Sequence, residues 1–83
     1  MVLIYVPASQ LKVGFSVSSK VGNAVTRNRL RRWFKEDFRM IAHTLKAGKY
    51  VFVARNSAKD APHDMLRSHM GALVAKAGLA KDE

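Results

Sequence analysis

Apolar positions along the chain fall into short runs that switch between the period of a strand and the period of a helix. Val2 to Val6 is almost wholly apolar, with β-branched and aromatic residues, and reads as a buried strand. Pro7-Ala-Ser-Gln10 interrupts it and suits a hairpin loop. From Lys12 to Ser18 the pattern alternates, Val13, Phe15 and Val17 on one face and Gly14, Ser16 and Ser18 on the other. The two runs are expected to pair as a hairpin. Ser19-Lys-Val-Gly-Asn23 is a turn-like link into a long helix from about Ala24 to about Leu45. Leu30, Trp33, Phe34, Phe38, Ile41 and Leu45 form its apolar stripe, and Gly48 is its stop signal. Tyr50 to Ala54 reads as a third strand and Arg55 to Lys59 as a loop. Asp60 is placed as the cap of a second helix, with Pro62 in its first turn. Leu66, Met70, Leu73, Val74 and Ala77 make that helix's buried stripe, Gly78 ends it, and the tail Lys81-Asp-Glu83 frays. The order β-β-α-β-α over residues 1–83 predicts one α+β domain, a two-layer sandwich with both helices on one side of a small sheet.

Composition narrows the partner. Eighty-three residues, 48% apolar, suffice for one small domain with a modest core. With no cysteine, a disulfide framework and a thiolate zinc site are excluded. Fifteen Lys and Arg oppose six Asp and Glu, a formal charge of +9, which points to a polyanion: nucleic acid or an anionic membrane. No apolar run approaches the roughly 20 residues of a membrane span, and the start has neither a basic region nor a small-residue cleavage site. The expectation is a cytoplasmic protein without a membrane partner.

The position of the charge says more than its total. At about 100° per residue, Arg27, Arg31, Lys35 and Arg39 form one slowly drifting row. Asn28 and Arg32 fall on the same side, and Leu30, Trp33, Phe34 and Ile41 on the other. Arg29 projects away from the row, near Trp33 and Glu36. Stacked like charges repel, and a docked anion relieves the repulsion; guanidinium forks match phosphate geometry. A mixed-charge helix face is ordinarily just solvated. Here Arg27, Arg29, Arg31 and Arg32 crowd together with Asn28, and no acid follows until Glu36, which favours nucleic-acid contact. Gly22-Asn23 fits a phosphate-cradling turn at a helix N-terminus and a simple turn equally well.

The run Val13-Gly-Phe-Ser-Val-Ser-Ser-Lys-Val-Gly-Asn-Ala-Val-Thr-Arg-Asn-Arg-Leu-Arg-Arg32 resembles the signature of the bacterial ribonuclease P protein family. Tyr50 to Arg55 looks like that family's last strand, and the helix from Pro62 like its last helix. The resemblance implies a fold like the second domain of ribosomal protein S5, with a left-handed βαβ crossover where general rules give a right-handed one. It implies an accessory subunit of an endoribonuclease whose catalyst is RNA, which removes the 5′ leader of precursor tRNA. Lys20, Asn23, Arg27, Asn28, Arg29, Arg31, Arg32 and Lys35 would face the catalytic RNA. Tyr5 would stack on a leader base in a cleft between sheet and helices, with Ser16 and Ser18 bonding leader phosphates. Mg²⁺ would be held mainly by RNA. Two features depart from the family: Ser19 stands where many members have a second lysine, and the family's opening helix is absent from this sequence.

Other readings weigh against these. Trp33, Phe34 and Phe15 fall in apolar stripes and are expected in the core rather than on bases. Tyr5, an aromatic in an apolar strand, fits the core as well as the leader. His43, His63 and His69 share no ligand spacing, and Asp60 and Asp64 fit helix capping. No Ser-His-Asp set, carboxylate cluster or phosphate-binding glycine loop stands out, so no catalytic or metal residue is assigned. The rival readings are a ribosomal-type RNA-binding module, a protein-only nuclease and a non-functional fragment.

Overall fold

The computed structural model describes residues 1–81, so the frayed-tail expectation for Asp82 and Glu83 lies outside it. Its elements are β1 (Val2–Val6), β2 (Lys12–Ser16), α1 (Ala24–Ile41), β3 (Lys49–Val53) and α2 (His63–Lys76). Short 3₁₀ turns at Ala42–Thr44 and Asn56–Asp60 flank β3.

The expected β1–β2 hairpin does not form. The sheet order is β1-β3-β2, with β1 antiparallel and β2 parallel to β3. Pro7-Ala-Ser-Gln10 carries no Asn-Gly or Gly-first turn signal for a tight hairpin. The link instead passes the start of β3, where Gly48 N–H donates to Gln10 and Lys12 N–H to the Gly48 carbonyl. This puts the most deeply buried strand in the centre: Tyr50 and Phe52 are fully buried. Gly48 is therefore a strand-entry residue and not a helix stop. Its φ of 150° suits glycine, and a Cβ there would collide with the Tyr5 ring.

Leu30, Phe34 and Phe38 of α1 are buried in one core with Tyr50 and Phe52, Phe38 packing on both, and Phe15 stacks on Phe52 at 6.0 Å between centroids. Each such side chain contributes roughly 2–3 kcal/mol by leaving water. Asn23 caps α1, its Oδ1 accepting from Thr26 N–H at 2.9 Å. The α-helix ends at Ile41, four residues before the expected end at Leu45, and the Ala42–Thr44 turn leads into Leu45. Leu45 is buried but extended, bridging to Ala80. Asp60 does not cap α2: it closes the preceding 3₁₀ turn, and Pro62 holds the cap position. Proline's fixed φ, and the missing N–H a helix start does not need, explain the shift. α2 ends as expected at Gly78, in the left-handed region (φ 69°), with Leu79 N–H bonded to Val74. Its buried stripe is Leu66, Met70 and Val74; Ala77 is exposed.

Leu3, Tyr5, Val13, Phe15, Tyr50 and Phe52 share the helix-covered face of the sheet by register. The opposite face aligns Ile4, Val51 and Gly14 in one row, and Val2, Val53 and Ser16 in the next. Ile4 is half exposed there, although β1 reads as a buried strand. Burial raises the Tyr50 phenol pKa above its usual value, and nearby Tyr5 adds to the shift.

Candidate nucleic-acid interface

The side chains of α1 divide into three strips rather than two faces. The strip beside β2 carries Arg27 and Arg31. Arg27 Nε donates to the Gly22 carbonyl at 3.2 Å, and Arg31 Nη2 to the Val17 carbonyl at 3.2 Å. Arg31 Nη1 also reaches Asn28 Oδ1 at 3.3 Å. These bonds pin the 17–22 loop, with Val21 buried beneath it and Lys20 exposed on it. Each guanidinium keeps further N–H donors for an anion. Asn23 spends its oxygen on the helix cap and keeps its amide donors.

The outermost strip carries Asn28, Arg32, Lys35 and Arg39, all exposed. Among the described residues the salt-bridge contacts are those of Asp37 with Arg67 and His63, so the outer cations form no ion pair there. A dense, unneutralised ridge of this kind holds a high local potential that phosphates lower by docking.

The third strip faces α2 and the Asn56–Asp60 turn, and carries Arg29, Trp33 and Asp37. Asp37 is buried, and its Oδ1 accepts from His63 Nε2 at 2.9 Å and from Arg67 Nε at 3.1 Å. An ionised carboxylate only accepts, so His63 meets it with an Nε2–H donor. Trp33, expected in the core, is half-buried and stacks parallel to His63 at 4.5 Å. The sequence reading missed this cluster. Its signal was an acid between Phe34 and Phe38 in an apolar stripe, a position that demands a partner.

The three leader candidates do not share a surface. Tyr5 stands on the helix-covered side, edge-on to Tyr50 at 5.0 Å, its hydroxyl donating to the Ala47 carbonyl at 2.6 Å. It lines an apolar cleft of about 390 Å³ between β1 and α2, with Leu3, Leu73 and Lys76. Ser16 points to the uncovered face, and Ser18 is exposed beyond the end of β2. Among the described residues no three His, Asp or Glu side chains meet at a possible metal site, and no helix is long and apolar enough to cross a membrane.

Comparison with known proteins agrees with this architecture. The family model described as Ribonuclease P matches residues 1–78. The ribonuclease P protein component of Clostridium botulinum (strain Alaska E43 / Type E3) is 45% identical over 73 residues, which are 87% of this chain and 58% of that protein. That of Thermoanaerobacter sp. (strain X514) is 41% identical over 69 residues, 82% of this chain and 60% of the relative. The chain thus spans about three-fifths of the length of these relatives. Among solved structures, the Staphylococcus aureus RNase P protein superposes with a TM-score of 0.86 at 26% identity, over 95% of this chain and 75% of that one. The Thermotoga maritima RNase P protein, at 22% identity and a TM-score of 0.78, shares the fold. The long match through the arginine helix, the matching fold and the family model together establish that this chain belongs to the ribonuclease P protein family.

Proposed function

We propose that the chain is the protein subunit of ribonuclease P, binding the catalytic RNA through α1 and the loop before it, and so assisting Mg²⁺-dependent removal of the 5′ leader from precursor tRNA in the cytoplasm. The observation that carries this reading is the outer strip of α1. Asn28, Arg32, Lys35 and Arg39 are exposed and form no ion pair among the described residues, beside a loop braced by Arg27 and Arg31 that presents Lys20. Arginine offers paired donors at fixed geometry to successive phosphates. The protein's part is binding and charge neutralisation: cations beside RNA strands lower their mutual repulsion and let Mg²⁺ accumulate on RNA phosphates. The buried carboxylate of the described residues, Asp37, has its Oδ1 engaged by His63 and Arg67, which supports a metal held by RNA phosphates and not by the protein.

Precursor-tRNA cleavage by a bacterial ribonuclease P RNA at low Mg²⁺, with and without this chain, tests the proposal. Stimulation that needs the RNA supports it. Cleavage by the protein alone would point to a protein nuclease, and salt-sensitive RNA binding without stimulation to a docking module. The leader contact divides by face: a leader in the β1–α2 cleft makes Tyr5→Ala costly and Ser16→Ala silent, and a leader on the uncovered sheet face gives the reverse. In either case the loss should vanish with leaderless tRNA.

A further inference from the structure

We infer that Arg29, unlike the other arginines of the Arg-Asn-Arg run and its continuation, is a positioning residue that holds the Asn56–Asp60 turn against α1 and does not contact phosphate. This rests on the reading of α1 as the RNA-binding helix. Arg29 Nη2 donates to the Lys59 carbonyl at 3.3 Å, and its guanidinium carbon lies 5.0 Å from the centre of the Trp33 ring. Its Nε is buried and has no partner among the described residues, so this donor is turned inward, away from any incoming anion. Trp33 stacks on His63, and His63 and Arg67 meet on Asp37. Arg29 therefore begins a continuous set of contacts that ties α1 to the turn and to α2.

The turn has few other attachments on this side. Its own bonds, Ala58 N–H to Arg55 and Ala61 N–H to Ala58, are local, and Ala58 alone of its five residues is buried. It carries Lys59 and follows directly on Arg55, both exposed, so Arg29 sets where those cations stand relative to the arginine ridge. To reach RNA, the Arg29 guanidinium would have to leave both the carbonyl and the indole face. Arg32, three residues on, is exposed with no side-chain bond or ion pair among the described residues, so it gives up no such contact on docking.

The test compares Arg29→Ala, Arg29→Lys and, as a contact reference, Arg32→Ala in the full chain. Binding to a bacterial ribonuclease P RNA is measured against salt. In the free protein, amide exchange of residues 56–61 and the emission of Trp33, the chain's one tryptophan, are measured alongside. Arg32→Ala should lower the slope of log K against log salt by roughly 0.7–0.9 and leave the free-protein signals unchanged. Arg29→Ala should keep the wild-type slope, speed exchange in the turn by roughly tenfold and shift the Trp33 emission. Arg29→Lys keeps the charge but not the planar fork, and should behave as Arg29→Ala does. A reduced slope in Arg29→Ala, full rescue by lysine, or an unaltered turn would each overturn the assignment. Exchange and emission need no RNA, so a wild-type chain that does not bind RNA would sink the RNA reading while these two signals still decide the role of Arg29.

Discussion

The outer and inner strips of α1 use the same residue types to opposite ends. Arg32, Lys35 and Arg39 stand in water with no ion pair among the described residues, whereas Arg29 lies on Trp33 and Asp37 is buried under His63 and Arg67. Three residues at about 100° each leave Arg32 only roughly 60° round the helix from Arg29, enough to part an exposed arginine from one packed on an indole. Charge count alone does not distinguish them; the element packed alongside does.

The largest effect should come from stripping the outer ridge. Arg32→Ala, Lys35→Ala and Arg39→Ala together should weaken RNA binding roughly 10²-fold near physiological salt, by titration against ribonuclease P RNA. The same triple variant should unfold within about 0.5 kcal/mol of wild type. A large stability loss would show that the ridge braces the fold after all. Asp37→Ala should do the reverse. By removing the shared acceptor of His63 and Arg67 it should cost about 2 kcal/mol, lowering the melting temperature by roughly 10 °C, with the salt slope of RNA binding intact. Arg67→Ala should cost about 1 kcal/mol or less in urea unfolding, because Arg67 is half exposed and solvent screens its pairing.

The smallest effect concerns the sheet beneath. Tyr50 holds its proton more tightly folded than unfolded, because burial raises its pKa. Its stabilisation is complete below the unfolded value near pH ~10 and is lost as pH rises through the folded one. Urea midpoints above that pH should therefore fall more steeply for wild type than for Tyr50→Phe, although that variant also lacks the bond to the Lys46 carbonyl.

The elements were legible in the sequence because each carries its own period. The stripe of Leu30, Phe34 and Phe38, the alternation around Phe15 and the Gly78 stop are local signals. What failed was relational. Nothing in Val2–Val6 or Lys12–Ser16 reveals that both strands prefer β3 to each other. β1 is apolar on both faces, so only its register with β3 shows that Tyr5 looks toward the helices and Ile4 away. Asp37 could not be matched to His63 and Arg67 without knowing how α2 lies along α1. The arginine ridge was legible because a run of like charges needs no partner to be conspicuous, and Arg29 was already seen to project away from it.

The central place of β3 also bears on how the chain assembles as it is synthesised. Each strand pairing in the sheet has one partner in Lys49–Val53, and Val2 meets Val53. β1, β2 and the whole of α1 must therefore emerge before any part of the sheet can close. Until then α1 can wind locally, but its apolar stripe has no strand to cover, and two unpaired edges wait in the open. A nascent chain stalled before Lys49 would be a basic helix with two sticky strands, and the arrival of five residues would let the whole sheet close.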